Sequence, residues 1–96
     1  MYAVIFRAEI NELDDEYVQM ADQLRELATN QYGCAGFTSS SDGYTEIAIS
    51  YWHDLDSIRS WKNDPQHITA QKLGKQKWYK NFRVQIVNIL REYEQE

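Results

Sequence analysis

The sequence predicts one α+β domain, in which an antiparallel sheet carries helices on one face. Two kinds of periodicity and the length of the chain support this prediction. Several segments alternate apolar and other side chains with period two, whereas one segment repeats its apolar residues at spacings of three and four. A chain of 96 residues suits a single domain over residues 1–96, and no linker or internal repeat divides it.

The first two predicted elements are a strand and an amphipathic helix. Residues 2–10 alternate as a strand does, and one face collects Tyr2, Val4, Phe6, Ala8 and Ile10. Residues 14–31 predict a helix that ends near Gly33, because helical spacing relates Leu13, Tyr17, Met20, Ala21, Leu24, Leu27 and Ala28. Asn11 and Asp14 are its candidate N-caps.

The rest of the chain predicts a hairpin, two short helices and a long last strand. Residues 34–40 and 44–53 are the strands of the hairpin, because Ser41-Asp42-Gly43 between them is a turn signal. Helices are expected over residues 55–62 and from Pro65 to about residue 76, since Asp64 before Pro65 suits a helix start. Residues 78–93 alternate again. The order β-α-β-β-α(α)-β is a ferredoxin-like topology.

The last predicted strand has apolar residues on both of its faces. One face carries Val84, Ile86 and Leu90, and the other carries Val87 and Ile89. Because the helices cover only one face of the sheet, the second face needs another cover. A second copy of the chain, related by a two-fold axis, provides one. The sequence therefore predicts a homodimer that pairs through the sheet.

Composition and charge argue against several classes of partner. The formal net charge of −5 disfavours nonspecific binding to nucleic acid and docking on anionic membranes. No segment approaches the roughly 20 apolar residues of a transmembrane helix, and the N-terminus lacks a basic segment followed by a long apolar run. The single cysteine, Cys34, fits a reducing compartment, so we expect a cytoplasmic protein.

Residues spread over most of the chain follow the pattern of a known family. They are Gly36-Phe37, the run Ile49-Ser50-Tyr51-Trp52, Ile58, Trp61, Pro65, His67, Ala70-Gln71, Gly74 and Trp78-Tyr79. This pattern resembles the antibiotic biosynthesis monooxygenase (ABM) domain family. The resemblance implies a dimeric α/β barrel, in which two ferredoxin-like domains pair through their sheets.

The resemblance also implies a chemistry. The oxygenases of this family use no metal and no bound flavin, and an electron-rich phenol or quinol passes its electrons directly to oxygen. Such a reaction needs aromatic walls, a proton acceptor and a donor to the developing oxyanion. The heme-degrading branch of the family has a different pattern. Phe6, Arg7 and Gln71 stand where that branch has its asparagine and its iron-binding histidine, so heme degradation is not predicted.

Two residues are candidates for catalysis. His67 is the third residue of its predicted helix, where the helix dipole disfavours the imidazolium and lowers its pKa. A neutral imidazole is a base near neutral pH and would polarise a substrate hydroxyl. The structural alternative is a histidine that only packs the turn after Trp61. Tyr79 is a candidate hydrogen-bond donor to a substrate oxygen.

Four further residues are candidates for substrate binding, namely Trp61, Trp52, Phe82 and Arg7. Trp61 suits both core packing and the wall of a pocket. Arg7 would hold an anionic substrate or, alternatively, pair with Glu46 across the sheet. No metal site is predicted, because Asp54 and Asp56 are better explained as the start of a helix than as metal ligands beside His53. Cys34 is predicted to be a small buried residue.

Two classes of function remain open at this point. The first is a cofactor-independent monooxygenase that acts on a small electron-rich aromatic molecule. The second is a non-catalytic dimeric module that binds a small aromatic ligand. A pocket that places His67 and a tyrosine around one space favours the enzyme, whereas a wholly apolar pocket without histidine favours the binding module.

Overall fold

The domain is built on a four-stranded antiparallel sheet that carries its helices on one face. In the computed structural model, which describes residues 1–95, the strands are β1 (Tyr2–Ile10), β2 (Gly36–Ser41), β3 (Thr45–Trp52) and β4 (Tyr79–Asn88). The helices are α1 (Asp15–Asn30), α2 (Leu55–Lys62) and α3 (Pro65–Leu73), and one turn of π-helix (Gly74–Trp78) follows α3. The strands lie in the order β2-β3-β1-β4. The predicted ferredoxin-like topology is thus confirmed.

The pairing of the central strand β1 decides which side chains face the helices. Ile5 lies opposite Ile49 of β3 and Gln85 of β4, so the three residues share one face. Val4 lies opposite Ser50 and Ile86 on the other face. Successive side chains of a strand point to opposite faces. Even-numbered residues of β1, β3 and β4 therefore face the helices, and odd-numbered residues of these strands form the outer face. Tyr79 is an exception, because the register of β1 and β4 shifts between Glu9 and Ile10 and pairs Tyr79 with Ile10 on the helix side.

Aspartates begin all three α-helices, as their positions in the sequence suggest. The side chain of Asp14 accepts a hydrogen bond from the backbone N–H of Tyr17, and Asp54 caps α2 in the same way. Asp64 caps α3, with Pro65 in its first turn. These bonds satisfy backbone donors that have no partner within the helix. None of the helices in residues 1–95 is long and apolar enough to cross a membrane.

The elements after α3 differ from the predicted boundaries. The second short helix ends at Leu73 rather than near residue 76, because the chain then widens into the π-turn, whose last N–H bond runs from Tyr79 to the Gly74 carbonyl. The last strand ends at Asn88 rather than at residue 93. Its partner β1 begins at Tyr2, and the N–H of Ile89 makes one further bond to the Met1 carbonyl.

The core lies between the sheet and the helices and is centred on two tryptophans. Its buried members are Val4, Ala28, Cys34, Trp52, Ile58 and Trp61. Trp52 is 0% exposed, and its indole N–H donates to the Ser50 hydroxyl at 2.8 Å. The buried position predicted for Cys34 is confirmed. A buried donor that lacks an acceptor lowers the stability of the folded protein, so the Ser50 hydroxyl stabilises the core by accepting the Trp52 N–H.

We expect Ser50→Ala to lower the free energy of unfolding by about 1–3 kcal/mol, because it leaves the buried Trp52 N–H without an acceptor. Urea denaturation followed by circular dichroism measures this change. In a Trp52→Phe background the donor is gone, so the same serine substitution should then cost much less. An equal loss in both backgrounds would contradict the assignment.

Candidate active site

A cavity of about 380 Å³ separates the helices from the inner face of the sheet. This volume lies in the range of roughly 300–1,000 Å³ typical of small-molecule sites. Most of its wall is apolar, and the aromatic part consists of Phe6, Tyr17, Phe37, Trp61, Trp78, Tyr79 and Phe82. Phe6 and Phe82 stack with their ring centroids 5.8 Å apart. The shape and lining suit a flat, apolar ligand with a few polar substituents.

One polar group in the wall is a hydrogen-bonded pair. The Tyr79 hydroxyl donates to Oε2 of Glu46 at 2.7 Å. Glu46 is 9% exposed. It lies four residues before Ser50 in β3, on the same face of that strand. Tyr79 follows the π-turn directly, and its ring packs against the backbone of Gly74, where an added Cβ would lie 3.0 Å from Cδ2 of the ring. Because Gly74 has no side chain, the Tyr79 ring can pack directly against the backbone at this position.

Burial acts on both members of this pair. It raises the pKa of Glu46, and the hydrogen bond from Tyr79 partly opposes that shift. Burial, reinforced by the Glu46 carboxylate, raises the pKa of Tyr79 far above its ordinary value. Tyr79 consequently keeps its proton at neutral pH and acts only as a donor. Glu46 is then the member of the pair that can accept a proton.

The second polar group in the wall is His67. Its ring packs edge-on against Trp61, with the ring centroids 4.5 Å apart. Burial lowers the pKa of His67, and the nearby charge of Lys62 lowers it further, so the ring is neutral near pH 7. The Gln71 amide nitrogen lies 3.1 Å from Nδ1. In this arrangement Nδ1 accepts from Gln71 and the proton of the neutral ring is on Nε2, the assignment following from the hydrogen bond.

Four of the six predicted site residues line the cavity together, namely His67, Tyr79, Trp61 and Phe82. The Trp61 indole N–H donates to the Leu24 carbonyl, so this residue is part of the core as well as of the wall. Trp52 packs behind Trp61, with ring centroids 5.2 Å apart, and does not contribute to the wall.

Arg7 lies on the outer face of the sheet, away from the cavity, because its neighbours Phe6 and Ala8 face the helices. The alternative pairing of Arg7 with Glu46 is wrong. Glu46 lies opposite Ala8, whereas Arg7 lies opposite Ile47 of β3 and Arg83 of β4. The two side chains therefore leave the sheet on opposite faces.

Glu46 is the site residue that the sequence prediction missed. A signal for it is present in the pattern of β3. Glu46 has the same parity as Ser50 and Trp52, so it belongs to the buried face of that strand. A carboxylate on a buried face is unusual enough to indicate function. Residues 1–95 contain no group of three or more potential metal ligands.

Sequence comparison relates the chain to a bacterial protein over most of the length of both. The uncharacterized protein YqjZ of Bacillus subtilis is 33% identical over 93 residues, which cover 95% of this chain and 81% of YqjZ. The chain belongs to the YqjZ family. No protein-family profile matches the sequence of this YqjZ-family protein.

Solved structures show that the YqjZ-family protein has the ABM fold, as the sequence resemblance implies. SnoaB of Streptomyces nogalater, a cofactor-independent oxygenase, superimposes with a TM-score of 0.80 at 11% identity. The match covers 98% of this chain and 97% of SnoaB. A second structure, of an antibiotic biosynthesis monooxygenase, has a TM-score of 0.67 at 18% identity and covers 95% of this chain and 100% of its own.

We expect His67 to titrate below 6.5, its ordinary pKa, because burial disfavours the imidazolium. Long-range ¹H–¹⁵N NMR correlations measure both the midpoint and the tautomer, with the urea-unfolded protein as reference. The neutral ring should carry its proton on Nε2, and Gln71→Leu should weaken this preference. A midpoint at or above that of the unfolded protein would contradict the described burial.

Proposed function

We propose that the YqjZ-family protein is a monooxygenase that acts on a small electron-rich hydroxyaromatic molecule without a resident metal or flavin. The observation that carries the proposal is that His67 and the Tyr79–Glu46 pair line the same cavity, which has aromatic walls. A purely storing or sensing module needs no acid–base groups around its ligand. The same fold in SnoaB, a cofactor-independent oxygenase, lends further support.

The proposed reaction is balanced with oxygen as the only co-reactant. A phenol and O₂ give a quinone and water. One oxygen atom forms the new ring carbonyl and the other leaves as water. The substrate supplies the four electrons that reduce O₂, so no external reductant is required. The protein has to bind the ring, ionise its hydroxyl and stabilise negative charge on oxygen.

The cavity walls indicate how such a substrate would lie. Phe6, Phe82 and Trp61 provide apolar and aromatic surfaces for a flat ring system. His67 packs beside Trp61, which in turn packs on Trp52 at one end of β3, whereas Glu46 lies near the other end of that strand. Polar groups at separate places in the wall favour a fused-ring hydroxyaromatic over a single ring.

In this proposal His67 is a donor rather than a base. Its Nδ1 is occupied by Gln71, so the group that it offers to the cavity is Nε2–H. A neutral N–H donor stabilises negative charge that develops on a substrate oxygen. The distinct contribution of His67 is then the stabilisation of an oxyanion, and proton removal is left to another group.

We also propose that two copies of the chain pair through the outer face of the sheet. That face carries Ala3, Ile5, Ile47, Ile49, Tyr51 and Val87, and no helix of residues 1–95 packs on it. Arg7 and Arg83 lie directly opposite each other there. Like charges in this position repel, so acidic groups of a partner would stabilise them. A reducing compartment such as the cytoplasm suits the buried free thiol of Cys34.

His67→Ala should lower kcat by about 10²–10³-fold, the usual loss when one oxyanion donor is removed. Oxygen consumption against a panel of quinols, naphthols and anthrones measures this effect in protein stripped of metal by a chelator. His53→Ala is the matched control, because His53 is exposed outside the cavity. Equal rates in both variants would remove His67 from the mechanism, and no uptake with any compound would favour a binding module.

Sedimentation velocity at micromolar concentration should give the mass of a dimer, because the outer face is too apolar for a stable monomer surface. Ile49→Lys places a charge at the centre of this face and should produce a monomer. Val18→Lys is the control, since Val18 is 56% exposed on α1. A monomeric mass for the unmodified protein would refute the proposed pairing.

A further inference from the structure

Among residues 1–95, Glu46 is the one acidic side chain in the wall of the cavity described above. The other titratable or charged side chains of that wall come from every helical element and from β4, namely Tyr17, Arg25, Lys62, His67, Lys75 and Tyr79. None of the cations forms an ion pair with Glu46 in the part of the chain that the structure describes. The charge of Glu46 is therefore buried without a counter-charge.

A structural role explains this carboxylate poorly. Burying an ionised carboxylate is costly unless it is paired with a cation or well hydrogen-bonded. Glu46 caps no helix and binds no backbone N–H; its one described partner is the Tyr79 hydroxyl. A pair of apolar side chains would fill the same space with less loss of hydration energy. A buried carboxylate that destabilises the fold is expected at sites where it takes part in binding or catalysis.

One oxygen of the Glu46 carboxylate has no hydrogen-bond partner among the described residues. Tyr79 occupies Oε2, whereas no hydrogen bond is described for Oε1. Every fully buried side-chain nitrogen or oxygen in residues 1–95 has a hydrogen-bond partner. Oε1, which has none, is consequently accessible, and Glu46 lines the cavity. The accessible oxygen is thus available to a ligand.

We propose that Glu46 is the catalytic base that takes the proton from the hydroxyl of the substrate and that Tyr79 is the residue that positions it. The inference rests on the function proposed above and adds the group that ionises the substrate.

The proton transfer involves no oxidation. The O–H bond of the phenol breaks, its electron pair stays on the substrate oxygen, and the proton forms a bond to Oε1 of Glu46. The products are a phenolate and a neutral carboxylic acid. Two negative charges never face each other, because the charge moves from the carboxylate to the substrate. The phenolate is the electron-rich species that reacts with O₂, and the proton leaves with the water that forms later.

Tyr79 directs the carboxylate without taking part in the transfer. Its hydroxyl holds Oε2 at 2.7 Å, which leaves Oε1 as the oxygen that is open to a ligand. The π-turn and the bare backbone of Gly74 hold the tyrosine ring itself. The same hydrogen bond lowers the pKa of Glu46 and keeps more of it ionised. A catalytic base has to be ionised before the substrate arrives.

The first test measures proton uptake and needs no turnover. An acidic naphthol, 6-cyano-2-naphthol, is bound as its phenolate under nitrogen, and calorimetry in buffers of different ionisation enthalpy counts the protons. We expect about one proton taken up per bound phenolate, because Glu46 is protonated when an anion arrives beside it. Glu46→Gln should take up none, while Glu9→Gln, exposed on the outer face, should match the unmodified protein. Uptake that persists in Glu46→Gln would overturn the proposal.

The second test uses oxygen consumption and the acidity of the substrate. Glu46→Gln should lose about 10²–10⁴-fold in kcat with weakly acidic naphthols, the range for a lost general base. The loss should shrink for naphthols that are already ionised in solution, because they need no base. A loss that is independent of substrate acidity would indicate a structural role only. If the unmodified protein consumes no oxygen with any substrate, the proposed function is wrong. The proton-uptake experiment still tests separately whether Glu46 accepts the proton.

The positioning role of Tyr79 has its own readout. Tyr79→Phe removes the bond that lowers the pKa of Glu46, so the acid limb of the kcat profile should move to higher pH. Gly74→Ala, which pushes the ring aside, should move it in the same direction. Unchanged acid limbs in both folded variants would exclude this role. Far-UV circular dichroism confirms folding before each comparison.

Discussion

The pairing of β1 with its two neighbours is the constraint on which the rest of the structure depends. This register places Val4, Ser50 and Ile86 on one face and Ile5 and Ile49 on the other. A shift by one residue would exchange the two faces completely. Trp52 would then leave the core, and Glu46 would leave the cavity. The core, the site and the outer face are consequences of one set of backbone hydrogen bonds.

The π-turn is the second feature that shapes the site. It inserts extra backbone between α3 and β4, so that Trp78 packs against Tyr17 of α1 with ring centroids 5.3 Å apart. Tyr79, the first residue of β4, then lies in the wall of the cavity. Such turns are often found at functional sites because they redirect side chains within an otherwise regular element. Here the redirected tyrosine meets a carboxylate from a strand on the far side of β1.

How far the candidate site can be predicted from the sequence differs from residue to residue. His67 and Trp61 were predictable, because α2 and α3 have strong start signals and carry them at fixed helical positions. Phe82 followed from the alternation of the last strand. Tyr79 has the opposite parity and reaches the cavity only because the register of β1 and β4 shifts between Glu9 and Ile10. Arg7 and Glu46 were paired wrongly, since residue type alone suggests attraction between opposite charges. Only the register shows that their side chains point to opposite faces.

The sequence by itself determined the element order, the helix starts and the parity of each strand, because capping and hydrophobic periodicity are local properties. It did not determine where α3 ends, since the π-turn depends on how Trp78 packs against distant residues such as Asp14 and Tyr17. The contact between Glu46 and Tyr79 likewise joins residues 33 positions apart. Which acidic side chain meets which partner depends on the relative placement of whole elements. That placement is decided by the packing of helices on the sheet, and only the tertiary structure contains it.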